Sequence, residues 1–412
     1  MKIEIDSARL LAEIEELALI SEAEPPVVTR VVFTSADMRA RRWLSERCKA
    51  AGLRVRHDAV GNTFARWQGS DATAPVVGTG SHIDAIPNAG KYDGVVGVLG
   101  GLEAIRALQG SGFKPKNPVE LLILTSEEPT RFGVGCIGSR LLAGTFSPSA
   151  ARALKDQGGQ SLDQVRQQAG FEGELESVKL PDEYYKAFVE LHIEQGPLLE
   201  REHIPLGVVI KIAAPASARV TIEGTGGHAG GVVMADRHDA LCAAAELILA
   251  IENAAETSGS PDNVATVGMC EVFPGAVNSI PSRVRISVDA RDTQLAKRDG
   301  VMRAIQAASK EIATRRGVSI QLELLNADAP AECAPLVVDA LRAACIEQGQ
   351  KFMTMMSRAY HDSLFLSRVA PVAMLFIPCR NGYSHRPDEY ASIEDISRGT
   401  LVLAETLASL SG

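Results

Sequence analysis

The chain has 412 residues, 46% of them hydrophobic and 23% charged, and carries a formal net charge of −9 at pH 7. This length exceeds one ordinary hydrophobic core and predicts two domains. The acidic balance and the lack of a basic stripe argue against nucleic acid as a partner. No uninterrupted run of about 18 apolar residues is present, so a membrane-spanning helix is not expected.

The compartment is predicted from the first residues and from the cysteines. Met1–Asp6 is charged where the core of a secretory signal peptide would be apolar. The seven cysteines are scattered, without a C-x-x-C pair, which predicts reduced thiols and no disulfide framework. We therefore expect a cytoplasmic protein.

Helix and strand patterns alternate through the first half of the chain. Helical periodicity covers 7–21, 36–52, 93–108 and 136–143, and strand patterns cover 76–81, 119–126 and 187–193. The apolar run Leu121–Leu124 is typical of a strand buried on both faces. This alternation predicts an α/β domain with an open sheet.

A different pattern follows Gly207. Its order is strand, helix, strand, strand, helix, strand, at 218–223, 236–253, 264–273, 283–291, 296–315 and 318–325. This is the order of a split βαβ, ferredoxin-like unit, and the alternation along its strands implies one covered face. We place an inserted domain at 208–327, between two parts of the first domain at 1–207 and 328–412. The second part contains helices near 335, 361–368 and 393–410, and a strand at 371–377.

The segment 76–100 carries the first candidate site. A β-branched strand breaks into glycines and is followed by His82 and Asp84. Ligands gather at the carboxyl ends of strands in open α/β sheets. Imidazole and carboxylate are ordinary ligands for divalent metals, and Asp84 would orient His82 from behind. From this segment alone, a polar loop with a hydrogen-bonded histidine is an equal alternative.

Further ligand-type residues follow neighbouring strands. They are Glu127 and Glu128 after 119–126, His192 within 187–193, and His385 after 371–377. Together with His82 and Asp93 they suit two divalent ions that share one bridging carboxylate. One of the two adjacent glutamates would bind metal and the other would act as general base. Adjacent glutamates at a strand end are usually solvated, but the other ligand-type residues at neighbouring strand ends weaken that alternative.

At this point the sequence resembles a known family. The motifs SHID, YDG, SEE, ELHIEQG, GGHAGG, NSIP, DARD and YSH occur in the order found in the hydantoinase/carbamoylase group of amidohydrolases. This group is part of the larger binuclear aminoacylase/carboxypeptidase superfamily, and the resemblance covers nearly the whole chain. It implies an α/β, mixed-sheet binuclear-metal hydrolase domain with an inserted ferredoxin-like α+β domain. The inserted domain would serve as a lid and as the dimerisation surface of a homodimer.

The resemblance also implies roles for individual residues. The metal ligands would be His82 and His192 on one ion, Glu128 and His385 on the other, and Asp93 as the bridge. Glu127 would be the catalytic base, with Asp84 behind His82. The cofactors would be two divalent ions per subunit. Zinc or manganese is expected, with cobalt and nickel as alternatives, because His/carboxylate sites accept all four.

Substrate-binding residues follow from the same resemblance. His228, in the GGHAGG motif, would stabilise the oxyanion, as a well-aimed N–H donor does. Gln195, Asn278 and Arg291 match positions that hold the substrate, and an arginine fork suits a substrate carboxylate. Without the resemblance, Arg291 would be interpreted as an exposed strand-end charge. His361, beside the expected site, would line the substrate pocket or lie behind a metal ligand. The lid would complete the partner subunit's site.

The loop 357–363 predicts the substrate. Its sequence is Ser-Arg-Ala-Tyr-His-Asp-Ser, whereas carbamoyl-amino-acid and allantoate hydrolases of the group typically have glycine in place of Arg358 and Tyr360. Two large side chains shrink the pocket, and a hydrogen bond between Tyr360 and a substrate hydroxyl would select a hydroxylated substrate. A small, hydroxylated ureido-carboxylate suits that change. The same loop, with the segments 90–94 and 125–133, also resembles the ureidoglycolate amidohydrolases of the group, which implies conversion of ureidoglycolate to glyoxylate, ammonia and carbon dioxide.

Several alternatives stay open at this stage. N-carbamoyl-L-amino acids and allantoate are the alternative substrates. A peptidase or aminoacylase would use the same metals, but Gln195 and the Asn278/Arg291 pairing resemble the ureido-substrate group. A non-catalytic binding module on the same scaffold would have a broken ligand set, whereas all five ligands and the base are present here.

Overall fold

The chain forms two compact units in a computed structural model that describes residues 2–412. The first unit contains the residues up to Ile210, Glu332–Met355 and His361–Gly412. The second contains Lys211–Ala331 and also Met356–Tyr360. This last segment is an addition to the predicted insertion at 208–327, and it carries Arg358 and Tyr360.

The first unit begins with eight strands and seven helices. The strands are β1 Val28–Arg30, β2 Arg54–His57, β3 Thr63–Trp67, β4 Val76–His82, β5 Ala85–Ala89, β6 Val119–Leu124, β7 Tyr185–Ile193 and β8 Gly207–Ile212. The helices are α1 Ser7–Ala18, α2 Ser35–Ala50, α3 Val95–Gly110, α4 Ile137–Leu142, α5 Pro148–Ala153, α6 Leu162–Gln168 and α7 Leu198–Glu202. A short 3-10 helix spans Leu175–Val178.

The remaining elements follow in chain order. The second unit contains β9 Ala214–Glu223, β10 Gly227–His228, α8 Ala240–Glu256, β11 Val264–Thr266, β12 Cys270–Phe273, β13 Ser279–Ile280, β14 Arg283–Asp292, α9 Leu295–Arg316 and β15 Ser319–Ala327, with a 3-10 helix at Met234–Asp236. After it come β16 Ala331–Glu332, α10 Pro335–Glu347, β17 Met353–Ser357, α11 Asp362–Leu366, β18 Val372–Ile377, a 3-10 helix at Arg380–Gly382 and α12 Ile393–Ser411. In the described part of the chain, no helix combines the length and apolar character needed to cross a membrane.

The sheet of the first unit is mixed, as expected. Its order is β16-β8-β18-β7-β4-β6-β3-β2, and β17 also pairs with β8. The central pairs β18–β7, β7–β4 and β4–β6 are parallel, whereas β8–β18, β3–β6 and β2–β3 are antiparallel. Because parallel strands end at the same edge, the residues at the ends of β4, β6, β7 and β18 are brought together.

Apolar strands and a glycine-rich helix hold this sheet in place. Every residue of β4, β6 and β18 is buried, and the apolar run Leu121–Leu124 predicted this for β6. Helix α3 packs against β4 and β7 at very short range. A Cβ atom at Gly97 would lie 2.3 Å from the Leu191 carbonyl oxygen, so a side chain there would push the helix off the sheet.

The second unit has the strand order of a ferredoxin-like sheet. It is antiparallel, with the order β15-β9-β14-β11, and β12 also pairs with β14. Its buried core combines β9 and β14 with α8 and α9, and includes Val220, Leu247, Ile286 and Ile305. The predicted strand 264–273 is interrupted, because Thr266 pairs with Asp289 while Cys270 pairs with Ile286. One extra residue lies on the β11–β12 side, as in a β-bulge.

Candidate active site

All five predicted metal ligands come together at the carboxyl edge of the first unit's sheet. The candidate ligand atoms form two groups, and the atoms within each group lie within 4.8 Å of one another. The first group is His82, Asp93 and His192, and the second is Asp93, Glu128 and His385. Asp93 Oδ1 lies 3.6 Å from His82 Nε2 and 3.2 Å from His192 Nε2. Asp93 Oδ2 lies 3.2 Å from His385 Nε2. The carboxylate therefore presents one oxygen to each group, as a bridging ligand does.

Strand ends and one glycine place these ligands. His82 is the last residue of β4, and His192 lies near the end of the neighbouring parallel strand β7, with 6.1 Å between the ring centroids. Asp93 precedes α3, where Gly94 has a φ of +66°. A Cβ atom at Gly94 would lie 2.5 Å from His82 Nε2, so only glycine leaves room for the imidazole beside Asp93.

The imidazole hydrogen bonds show that the first group fits a metal ion. His82 Nδ1 lies 3.0 Å from the Asp84 carbonyl oxygen, and His192 Nδ1 lies 2.9 Å from the Ile193 carbonyl oxygen. A carbonyl oxygen only accepts, so both Nδ1 atoms carry the proton and neutral rings present a lone pair at Nε2. Both lone pairs face Asp93 Oδ1, as they would around a shared metal ion. Burial opposes a charged His82 ring, but carboxylates including Glu127 and Asp93 raise the pKa of His82 well above its usual value.

Asp84 lies behind His82, on the Nδ1 side of the ring. His82 is oriented by the backbone carbonyl of Asp84, while the Asp84 carboxylate lies 3.8 Å from His82 Nδ1. That carboxylate instead accepts the backbone N–H groups of Glu127, at 3.3 Å, and Glu128, at 3.1 Å. Asp84 therefore fixes both the first histidine and the loop that carries the two glutamates.

The two adjacent glutamates face different partners. Glu128 Oε1 lies 3.2 Å from His385 Nε2 and belongs to the second ligand group. Glu127 belongs to neither group, and its Oε2 lies 3.8 Å from His82 Nε2. Its Oε1 accepts the Cys136 thiol at 3.6 Å. Burial raises the pKa of Glu127 well above its usual value, with His82 opposing, which makes this carboxylate a stronger proton acceptor than an exposed one.

The two ligand groups differ in their exposure. The His82 and His192 side chains are 2% and 1% exposed, whereas the His385 side chain is 45% exposed. Hydrogen bonds from His385 to Asp93 and Glu128 raise its pKa to about 11. The second group is therefore the one that solvent, and a small molecule, can reach.

Two predicted substrate residues lie in the first unit. Gln195 Nε2 donates to Asp93 Oδ2 at 2.6 Å, and its buried Oε1 has no protein hydrogen-bond partner among residues 2–412. His361 is 2% exposed and packs edge-on against His192, with ring centroids 4.6 Å apart. Gln195 thus reaches the metal ligands directly, whereas His361 lies against a ligand instead of facing solvent.

A third group of ligand-type side chains comprises Glu190, His192 and His361. Glu190 is already engaged: Oε1 accepts the Ser81 hydroxyl at 2.7 Å, and Oε2 accepts the Ser363 hydroxyl at 2.6 Å. His192 uses its Nδ1 on a carbonyl and directs its Nε2 to Asp93. We therefore interpret this group as support for His192.

The other predicted substrate residues lie in the second unit. His228 is exposed, and its loop pairs with β13, so the Asn278 carbonyl oxygen accepts the Ala229 N–H at 2.9 Å. Arg291 lies at the end of β14, where its Nε donates to Asp289 Oδ1 at 2.7 Å. The structure thus brings the His228 loop and Asn278 together.

Arg358 and Tyr360, the two departures from the family pattern, are anchored within the second unit. Arg358 Nη2 lies 2.6 Å from Asp262 Oδ1. The Tyr360 hydroxyl donates to Asp328 Oδ2 at 2.5 Å. A phenol has one proton to donate. Its single proton is thus donated to Asp328, while the phenol oxygen can still accept a hydrogen bond.

Two residues of the site were not predicted. Ser384 and Glu389 flank the His385 segment, and both contact the Asp93 segment. Ser384 is adjacent to a predicted ligand, and Glu389 is an acidic residue four positions beyond it. These positions were the available signal, but an acidic residue in the Arg-Pro-Asp-Glu segment is otherwise typical of an exposed loop.

Comparison with known proteins identifies the family. Residues 78–409 match the model of peptidase family M20/M25/M40. The chain belongs to this family. A ureidoglycolate hydrolase from Oryza sativa is 50% identical over 99% of this chain and 85% of the relative. An N-carbamoyl-L-amino acid amidohydrolase from Geobacillus stearothermophilus is 37% identical over 98% of this chain and 99% of the relative.

A solved structure agrees with the sequence relatives. The crystal structure of AtUAH in complex with (S)-hydroxyglycine is 49% identical and covers 99% of this chain and 98% of its own. Its TM-score to this chain is 0.93. The mixed α/β hydrolase fold and the resemblance to the carbamoylase group within the M20 family are therefore confirmed.

Proposed function

We propose that this M20 family member is a binuclear metal-dependent amidohydrolase that cleaves the ureido group of ureidoglycolate. The observation that carries the proposal is the position of Asp93, with one oxygen toward His82 and His192 and the other toward His385. We expect two zinc or two manganese ions per chain, because the ligands are imidazoles and carboxylates.

The candidate metal ligands and Glu127, all in the first unit, have separate tasks in the proposed reaction. His82, His192 and Asp93 would hold one ion, and Asp93, Glu128 and His385 would hold the other. The ions, when bound, lower the pKa of a water molecule and polarise the ureido carbonyl. Glu127 accepts the proton of the attacking water and returns it to the leaving nitrogen. Burial supports this task, since it keeps the Glu127 carboxylate basic and separates it from bulk water.

His228 would supply the oxyanion donor. Its Nδ1 accepts the Gly230 N–H at 3.1 Å, so the ring proton lies on Nε2. The ring is exposed, which leaves this N–H free to donate to a developing oxyanion. We propose that the protein is a homodimer in which His228, Asn278 and Arg291 of one subunit complete the site of the other. The lid and dimerisation roles of the second unit are part of the same proposal.

The substrate is inferred from the relatives and from the loop with Arg358 and Tyr360. The 50% identical relative is a ureidoglycolate hydrolase, and the AtUAH structure holds (S)-hydroxyglycine. Hydroxyglycine is what remains of ureidoglycolate after hydrolysis removes the ureido carbonyl as carbon dioxide and the terminal nitrogen as ammonia. Because the Tyr360 hydroxyl donates to Asp328, we propose that Tyr360 selects a small substrate through the bulk of its ring.

Ammonia release from three substrates tests this choice. Ureidoglycolate should be hydrolysed faster than allantoate and N-carbamoyl-L-amino acids, with two molecules of ammonia and one of carbon dioxide per glyoxylate. Urea is measured in parallel, because elimination of urea from ureidoglycolate also yields glyoxylate but no ammonia. Tyr360→Gly should shift the preference toward the bulkier substrates, since it removes the ring. The matched Tyr360→Phe variant keeps the ring and should keep the preference.

Either of two results would contradict the substrate assignment. One is faster turnover of a carbamoyl-amino acid, which the 37% identical relative makes the main alternative. The other is release of urea in place of ammonia. A Tyr360→Gly variant with unchanged substrate preference would contradict only the role proposed for the Tyr360 ring, and not the substrate assignment.

A further inference from the structure

Glu389 is a buried carboxylate that contacts two segments of the candidate site. One carries Asp93, which belongs to both ligand groups, and the other carries the exposed His385. Glu389 is only 4% exposed, although the residues on either side of it in the loop, Asp388 and Tyr390, are exposed. Burying a carboxylate is costly unless it is paired or hydrogen-bonded. Its partners therefore explain why the loop turns this side chain inward.

One oxygen of Glu389 holds the backbone of the bridging ligand. Oε1 accepts the Tyr92 N–H at 2.8 Å and the Asp93 N–H at 3.1 Å. Hydrogen bonds from backbone N–H groups to an ionised carboxylate are among the stronger ones in proteins. The backbone just before Tyr92 also approaches Glu389 closely, since a Cβ atom at Gly90 would lie 2.4 Å from Glu389 Cβ. The turn before α3 is thus built around this side chain.

The other oxygen reaches the carboxylate of the bridging ligand through a serine. The Ser384 hydroxyl lies 3.0 Å from Glu389 Oε2 and 2.5 Å from Asp93 Oδ2. Ser384 immediately precedes His385, whose φ is +59°. Glu389 and Ser384 therefore contact Asp93 at both its backbone and its side chain, and they tie it to the His385 loop.

This arrangement matters because Asp93 can bridge two ions only when its oxygens point in two set directions. Partners that orient a metal ligand change metal affinity although they do not touch the ion. We propose that Glu389 is a positioning residue that, with Ser384, orients Asp93 and the His385 segment for the second metal ion. This inference rests on the proposed binuclear function.

The test measures metal retention by the full-length protein. Zinc-loaded protein is dialysed against increasing chelator, and bound zinc per chain is determined by elemental analysis. Glu389→Ala should lose one ion at a chelator activity about 10- to 100-fold lower than the unmodified chain requires. The visible spectrum of the cobalt-loaded protein should change with it, because the geometry around the second ion is altered.

Three further variants separate positioning from general destabilisation. Glu389→Gln keeps an acceptor for the two N–H groups and should retain nearly the unmodified affinity. Ser384→Ala removes the hydroxyl between Asp93 Oδ2 and Glu389 Oε2 but leaves Glu389 on the two backbone N–H groups, so it should weaken retention less than Glu389→Ala. Glu103→Ala is the matched control. Glu103 lies on helix α3, is fully buried, and like Glu389 accepts a backbone N–H, that of Asp6 at 2.9 Å. It should lower thermal stability without releasing metal.

The outcomes distinguish this inference from the proposed function. An unmodified chain that binds no metal would contradict the binuclear proposal itself. Unchanged zinc retention in Glu389→Ala, or equal loss in Glu103→Ala, would overturn the positioning role while leaving the proposed function intact. If Glu389→Ala does not fold, the Ser384→Ala result decides, and unmodified retention there overturns the inference.

Discussion

Glu127→Gln is expected to bind both metal ions and to lose about 10²- to 10⁴-fold in turnover, the usual contribution of a general base. Glu127 lies outside both ligand groups, so its replacement by an isosteric amide removes no metal ligand. The amide cannot accept the proton of the attacking water. Metal content by elemental analysis and ammonia release from ureidoglycolate, measured on the same preparation, check this result.

Glu128→Ala is the matched control for Glu127→Gln. Glu128 Oε1 lies 3.2 Å from His385 Nε2 within the second ligand group, so its loss should lower metal content. The two neighbouring substitutions should therefore separate chemistry from metal binding. Normal turnover by a metal-loaded Glu127→Gln protein would contradict the assignment of the base.

His228→Ala is expected to lower turnover by about 10²- to 10³-fold, as removal of an oxyanion donor usually does. If His228 serves the partner's site, mixing this variant with Glu127→Gln restores activity. In a mixed dimer, the His228→Ala chain supplies an intact Glu127 and its partner supplies an intact His228. One of two sites is then functional.

The recovered activity has a defined size. Purified heterodimers should show about half of the unmodified activity, and a random mixture of the two variants about a quarter. Two different affinity tags isolate the heterodimer and prove that it forms. Isolated heterodimers without activity would show that each site is built within one chain.

The cluster of candidate metal ligands is the part of the structure that sequence patterns predict best. Buried strands are recognisable from uninterrupted apolar runs, and parallel strands bring the residues at their ends to one edge. His82 and His192 lie at the ends of two strands that were recognised from the sequence, and the structure has those strands parallel and adjacent. The ferredoxin-like character of the second unit was likewise predictable, because its strands and helices follow one another in the order of a split βαβ unit and its two central strands β9 and β14 alternate between two faces.

The contacts that orient the ligands were not predictable in the same way. Asp84 holds His82 by its backbone carbonyl, and a sequence pattern does not distinguish a backbone from a side-chain partner. Glu389 is turned inward by contacts with residues almost 300 positions away. Gln195 and His385 have φ values of +55° and +59°, uncommon for residues other than glycine, and only tertiary contacts sustain them.

The second unit shows a related limit. The segment Met356–Tyr360 belongs to it although the chain around it belongs to the first unit. Its membership depends on long-range pairs such as Arg358 with Asp262 and Tyr360 with Asp328. Local periodicity does not encode such pairs, so a domain boundary drawn from patterns omits the segment.

Metal titration of the activity tests the proposed binuclear amidohydrolase most directly. The purified protein is stripped with chelator, reconstituted with measured equivalents of manganese or zinc, and assayed for ammonia and glyoxylate from ureidoglycolate. Because His82, His192, Glu128 and His385 divide into two groups joined by Asp93, we expect activity to rise to a plateau at about two equivalents per chain. Full ammonia release by the metal-free chain, or a plateau at one equivalent, would contradict the two-metal site.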